Sequence, residues 1–344
     1  MSPSRRRLRP IALLVLVIAL VAAACGSDDG ASDSENGSFT LYSGRSENLV
    51  QPLIDQFTEE TGIAVDVRYG NSAEMAAQIL EEGSGTPADV FYSQEVGAMG
   101  ALADAGLLTP LPAEVVDSVD PRFAPSEDDL WVGVTGRSRA IVYNPELVDD
   151  PPTSVADLTD PQYEGQVAWA PTNASFQSFV TGYRVAEGEE AASEWLDAMI
   201  ANDTESYENN VAILDAVNEG QIGIGLINHY YWSRSAPELG DELVAELVFP
   251  VDGDPGGLIN ATAVGITTSG EGNEAALAFV EYLLSDAGQT YFVEETFEYP
   301  VVPGVPNPEG VPPLAELDGP ALDLADLKSL EASQALLTEK GLLS

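Results

Sequence analysis

From Phe39 onward the chain alternates short apolar runs with stretches of helical spacing, and this restricts the fold more than any other property of the sequence. Phe39–Tyr42 is an apolar run suited to a buried strand. Leu49–Glu60 sets Leu49, Leu53, Ile54 and Phe57 on one stripe and meets a stop at Gly62, which predicts a helix. Ile63–Tyr69 alternates as a strand, Ala73–Glu82 is a second helix closed by Gly83, Ala88–Tyr92 is a third strand, and Ala98–Ala105 is again helical. The order β-α-β-α-β makes the fold class α/β, with an open sheet.

The same reading continues to the end. Leu130–Thr135 and Ala140–Tyr143 read as two strands separated by a loop at Gly136-Arg137-Ser138-Arg139, and Val167–Ala170 as another strand. Helices are expected at Phe176–Ala186, Ala191–Ala201 and Asn210–Asn218, and strands at Ile222–Ile227 and Leu243–Pro250. Apolar Ala261–Ile266 is placed to cross back to the first half. Asn273–Leu284 and Ala287–Glu294 are helical, Tyr299–Pro303 is extended, and Leu314–Leu337 is a Leu- and Ala-rich helical tail. Two α/β units follow, joined by two chain crossings. Open α/β sheets bind ligands beyond their strand C-termini, so two facing units make a cleft lined by loops from both.

The first 38 residues are of another kind. Arg5, Arg6, Arg7 and Arg9 precede an apolar run of 14, Ile11–Ala24, which is short for a membrane span. With Ala22-Ala23-Ala24 before Cys25, this reads as a secretory leader (residues 1–24) ending at a lipoprotein processing box, the plain alternative being a signal peptide that happens to contain a cysteine. Residues 25–38 are Gly, Ser, Asp and Glu with almost nothing apolar, an acidic flexible tether. On this reading the protein is extracytoplasmic and lipid-anchored through Cys25.

Composition then removes whole classes of function. Against 57 Asp+Glu stand 13 Lys+Arg, a formal net charge of −44. Nucleic-acid binding needs clustered cations and is excluded. One cysteine permits no intrachain disulfide, and one histidine leaves no Cys/His zinc set. No Ser/His/Asp set can be assembled around His229, no GxxxxGK[ST] loop is present, and Asp252–Gly257 lacks the spacing of a calcium loop. The chain is not expected to be an enzyme.

Loops at strand ends carry the remaining signal. Ser43-Gly44-Arg45-Ser46 precedes a helix, where free N–H groups and a guanidinium fork suit an oxyanion; otherwise it is an exposed turn. Thr172-Asn173-Ala174-Ser175 has the look of an anion nest, with ordinary helix capping as the alternative. Arg137 and Arg139 either reach the cleft or pair with the acidic surface. Asn228-His229-Tyr230-Tyr231-Trp232 follows an apolar strand. Its paired phenols are either an aromatic packing cluster or hard donors for a highly charged cation that needs an anion beside it. His229 would point away from such a cation, Asn228 would brace the loop, and Glu95 stands next to the strand end at Tyr92-Ser93-Gln94.

In this order, Leu41-Tyr42-Ser43-Gly44-Arg45, Pro87–Phe91, Gly136–Arg139, Val142-Tyr143-Asn144, Ser175-Phe176-Gln177, Tyr207–Asn210, Asn228–Trp232, Tyr282–Ser285 and Glu298-Tyr299-Pro300 resemble the ferric-iron-binding solute-binding proteins of ABC transporters, the "bacterial transferrin" family. The resemblance implies a two-lobed periplasmic-binding-protein-like fold of the type II "Venus flytrap" kind, with two crossover strands. Lobe 1 would comprise residues 39–137 and about 262–310, and lobe 2 residues 138–261 and 311–344. It implies Fe³⁺ held by Tyr230 and Tyr231 with a synergistic carbonate or phosphate, cradled by Arg45, Arg137, Asn173, Ser175 and Asn210. Ser46, Gln94, Glu95, Asn228 and Arg139 would support them. Ser46, Gln94 and Ser175 stand where relatives carry further metal ligands. A permease with a separate ATPase subunit would be the partner of a monomer. The alternative is a binder of an oxyanion or small organic anion without metal.

Overall fold

A computed structural model of the chain describes residues 36–124 and 128–343. The expected leader, Cys25 and most of the tether lie outside these residues. None of the described helices is long and apolar enough to cross a membrane. The strands are β1 (Ser38–Ser43), β2 (Ala64–Tyr69), β3 (Val90–Ser93), β4 (Val132–Tyr143), β5 (Val167–Trp169), β6 (Glu205–Ser206), β7 (Ile224–Asn228), β8 (Glu246–Val248), β9 (Ile259–Ile266) and β10 (Tyr299–Pro300). The helices are α1 (Glu47–Thr61), α2 (Ser72–Glu82), α3 (Val96–Asp104), α4 (Ala113–Val116), α5 (Ala174–Glu187), α6 (Glu189–Ala201), α7 (Asn210–Asn218), α8 (His229–Leu239), α9 (Glu274–Leu283), α10 (Asp286–Tyr291) and α11 (Leu330–Glu339). The α/β expectation is met.

The strand order is β2-β1-β3-β9-β4-β7-β5-β6, with β8 and β10 also pairing with β4. β1 runs parallel to β2 and β3, and β5 runs parallel to β6 and β7, so each half contains parallel strands with helical crossovers. α1 shows the local logic. Of its predicted stripe Leu53, Ile54 and Phe57 are buried and Leu49 is half-buried, with Val50 buried beside them, and Gly62 takes a φ of 72° that ends the helix with its N–H on the Thr58 carbonyl. Phe39, Phe57 and Phe279 then pack edge-on or tilted in one core, whereas Trp169, Phe179 and Trp195 pack in another.

One strand joins the two cores. Gly136–Arg139 is the middle of β4 and not a loop, which corrects the reading of two separate strands. β4 pairs with β9 as far as Ser138, opposite Ile259, and with β7 from Arg139, opposite Asn228. All of its residues but Tyr143 are buried. Polar residues in a continuous strand look like a loop in sequence, but here they lie where the strand leaves one sheet for the other. The second crossing lies beside it, with the Arg139 N–H donating to the Leu258 carbonyl at 2.9 Å.

The C-terminal segment departs from the expected continuous helix and from assignment to one half. Leu314, Leu317, Leu324 and Leu327 pack in the first core, and Leu337 packs in the second. Only Leu330–Glu339 is α-helical; Leu314–Glu316 and Leu324–Lys328 are short 3₁₀ turns. Gly319 explains the interruption. A Cβ there would sit 2.1 Å from the Gly257 carbonyl oxygen, so two backbones touch at this point.

Candidate functional site

Four strand ends meet between the two halves. β1 ends in Gly44-Arg45-Ser46 before α1, and β3 ends in Gln94-Glu95 before α3. From the other half, Asn173 caps α5 after β5 and Ala174 and Ser175 open that helix, and β7 runs into α8. A cleft of about 260 Å³ is lined from one side by Gly44, Ser46, Asn48, Leu49, Gln94, Glu95 and Arg137, and from the other by Asn173, Ala174, Ser175, Tyr230, Tyr231 and Arg234. The first wall is stapled by Ser72, whose hydroxyl accepts from the Gln94 N–H at 2.8 Å and donates to the Gly44 carbonyl at 3.4 Å. A Cβ on Gly44 would come within 2.2 Å of that hydroxyl, which is why glycine is required there.

Tyr230 and Tyr231 both face this cleft because the strand stops at Asn228. Within a strand adjacent side chains diverge to opposite faces, but in the first turn of α8 they do not. Their ring centroids lie 4.3 Å apart with planes inclined by 30°. Tyr230 is buried. Burial and the neighbouring Tyr231 push its phenol well above the ordinary range, while the Arg137 guanidinium acts in the opposite sense. Such a buried phenol as Tyr230 stays protonated until a strong Lewis acid replaces the proton. Among the described residues no three His, Cys, Asp or Glu side chains come together as a metal-holding group.

The arginines divide by partner. Ser43 and Ser93 close equivalent turns, their hydroxyls accepting from the N–H groups of Arg45 and Glu95 at 3.2 Å each, and both charged side chains turn inward. Arg45 is committed to Glu298 through two bonds of 3.0 and 2.7 Å and to Gln94 Oε1 at 2.7 Å. It does not line the cleft, so its expected role as an anion clamp is corrected: its fork is already filled by a carboxylate. Burial would raise the Glu298 carboxyl, but Arg45 and Arg137 hold it below the ordinary range. Arg137 does line the cleft, yet it donates to Glu95 Oε1 at 3.0 Å and to the Gln94 and Ala261 carbonyls. Glu95 in turn accepts from Ser178 Oγ at 3.1 Å and from Asn260 Nδ2. It is saturated by hydrogen bonds that tie both halves together.

Arg139 is different. It is buried, with Nη1 on Asn210 Oδ1 at 3.4 Å and Asn228 Oδ1 at 3.2 Å, while Nε and Nη2 have no partner. Asn210 Nδ2 donates to Ser175 Oγ at 3.4 Å, and Ser175 Oγ donates to Asn173 Oδ1 at 2.6 Å. Asn173 also caps α5 through the Ser175 N–H, the ordinary capping role its position suggested. His229 is not directed at the cleft. Its Nδ1 accepts from the Ser138 N–H at 3.2 Å and its Nε2–H donates to the Phe297 carbonyl at 3.0 Å. Burial lowers its pKa to about 4, which keeps the ring neutral.

The cleft thus gathers Ser46, Gln94, Glu95, Arg137, Asn173, Ser175, Tyr230 and Tyr231, sets Asn210, Asn228 and Arg139 behind its second wall, and leaves Arg45 behind its first. Sequence reasoning missed Glu298, Asn260, Ser178, Asn48 and Arg234. Arg234 had a usable signal, lying one helical turn beyond Tyr230; the others had none.

The chain matches the model of the bacterial extracellular solute-binding protein family over residues 85–317. It is 35% identical to the Fe(3+)-binding periplasmic protein of Serratia marcescens, over 98% of each chain. Among solved structures it is similar to iron-bound HitA from Pseudomonas aeruginosa, with 35% identity, a TM-score of 0.82, and 88% of this chain and 99% of the other covered. It is also similar to the Trichodesmium protein IdiA (FutA) in complex with iron and citrate, with 28% identity, a TM-score of 0.77, and 89% and 99% covered.

Proposed function

The chain belongs to the bacterial extracellular solute-binding protein family, and on that premise we propose that it captures ferric iron with a synergistic anion and delivers it to an ABC permease driven by a separate ATPase subunit. The observation that carries this reading is the pair of neighbouring phenols lining the cleft, in a structure where no three His, Cys, Asp or Glu side chains among the described residues come together to hold a metal. Fe³⁺ is a hard cation that favours anionic oxygen. Two phenolates leave its shell incomplete, and carbonate or phosphate fits the remainder, bound through Ser175, Asn173 and the amides of Asn210 and Asn228.

Capture works by differential binding. Tyr230 and Tyr231 lie on one wall, Ser46 and Gln94 on the other. A cargo that touches both favours closure of the two lobes about β4 and β9. We place lobe 1 at residues 39–137 with about 262–310, and lobe 2 at residues 138–261, with the C-terminal segment shared. We further propose that Cys25 is lipidated and anchors a monomer on the outer face of the cell membrane.

Uptake of an oxyanion without metal is the weaker reading, because Arg45 and Arg137 are neutralised by Glu298 and Glu95. The test is a visible spectrum with iron and phosphate. The wild type develops the phenolate-to-iron charge-transfer band, and Tyr230→Phe and Tyr231→Phe each lose it with at least ~100-fold weaker iron retention, about 2.7 kcal/mol per lost ligand. Unchanged colour and retention in both variants would overturn the assignment.

A further inference from the structure

We propose that Arg139 sets the charge of the anion taken up with the metal, restricting it to a dianion. The inference rests on the ferric reading above and concerns a residue that the reading itself does not need.

Four arginines are buried among the described residues: Arg45, Arg137, Arg139 and Arg184. Three have a carboxylate partner, namely Glu298, Glu95 and Glu189. Arg139 has none. Its Cζ lies 5.5 Å over the Phe179 ring, and two of its nitrogens are without any hydrogen-bond acceptor. Burial lowers its pKa to about 10, so it is still a cation at neutral pH. A buried charge is costly until an opposite charge compensates it. The anionic forms of Tyr231 and Tyr230 are the groups that most favour its charged state.

Charge balance then fixes the anion. Arg45 and Arg137 cancel Glu95 and Glu298. Fe³⁺ less two phenolates leaves one positive charge, and Arg139 makes it two. A dianion such as carbonate or hydrogen phosphate brings the buried cluster to zero, whereas a monoanion leaves a positive charge without water. Arg234 lines the cleft but is partly exposed, so solvent screens it.

Arg139 also orients the donors. A guanidinium can only donate, so Asn210 and Asn228 must turn their carbonyl oxygens toward it and their amide groups away. The Asn210 amide accordingly meets Ser175 at the cleft wall. The residue thus acts on the anion through its charge and through two amides, as a positioning residue.

The experiment measures iron retention against a competing chelator at pH 8, with inorganic phosphate as the dianion and dimethyl phosphate as the monoanion, using the charge-transfer band and the anion-to-iron stoichiometry. The wild type should favour phosphate by at least ~10-fold, the equivalent of about 1.4 kcal/mol. Arg139→Gln should reduce that preference below about 2-fold, and Arg139→Lys should keep it. Asn228→Asp, which places a carboxylate against Arg139 without changing volume, should reduce it as Arg139→Gln does, and decides the matter if Arg139→Gln does not fold. Iron bound with the full phosphate preference in the folded neutralised variants overturns this proposal alone. A wild type that binds iron with neither anion overturns the ferric reading and this proposal with it.

Discussion

Replacing Glu298 by Gln should destabilise the protein far more than its distance from the tyrosines suggests. Its carboxylate receives two hydrogen bonds from Arg45, at 3.0 and 2.7 Å, and one from Thr296 Oγ1 at 2.9 Å, and lies 3.8 Å from Arg137 Nε. All three charged side chains are at most 2% exposed. Glutamine preserves the shape but removes the charge, and turns an NH₂ group toward a guanidinium that can only donate. Breaking a buried ion pair from one side costs about 3–5 kcal/mol, because the remaining charge is stranded. About 300 folded residues at about 2.1 cal/mol/K each give an unfolding entropy near 0.6 kcal/mol/K, so a loss of about 4 kcal/mol lowers Tm by about 6 °C. Scanning calorimetry of apo wild type and variant at one salt concentration measures it. The double variant Arg45→Met/Glu298→Leu, which removes both charges, should recover most of the loss. A Glu298→Gln melt within about 1 °C of wild type at pH 7 would refute the reasoning.

Two further outcomes follow from other buried contacts. His229 has a folded pKa of about 4 against 6.5 unfolded, so its contribution is complete above about pH 6.5 and is lost as pH falls to about 4. The stability difference between wild type and His229→Gln should shrink by about 3 kcal/mol across that window, followed by denaturant melts at each pH; a constant difference would mean that the ring is solvated. Gly319→Ala should cost about 1–3 kcal/mol, because the new methyl meets the Gly257 carbonyl at 2.1 Å and backbone must move; an unchanged melting temperature would place the two segments apart.

The sequence made the α/β layers legible because strand and helix periods differ and the glycine stops were well placed, as at Gly62. It made the tyrosine pair legible for a related reason: two phenols directly after an apolar run sit where a parallel strand ends. It could not show that Arg45 belongs to Glu298, 253 residues away, since nothing local distinguishes a guanidinium filled by a carboxylate from one left open. The same limit applies to Arg139, which looked equivalent to Arg137 two residues earlier. Their partners differ because β4 changes sheets between them, and each side chain is delivered to a different half. Gly136–Arg139 misled for the same reason, since polar residues in a strand interior are rare except where two sheets exchange a strand. In the tail, leucines at helical spacing predicted one helix, but Gly319-Pro320 breaks it and its leucines serve two cores.

That divided tail has a mechanical consequence. Lys328 pairs with Asp104 on one side of the gap, whereas Ser329 and Ser333 accept from Arg184 on the other. On the proposed closure about β4 and β9, opening the two lobes would therefore stretch or unlatch a further tie besides those two strands. Shortening the chain before Leu330 would cut that tie while sparing every group that touches cargo. The predicted effect is a wider swing and a faster exchange of what is held, with the tyrosines themselves unchanged.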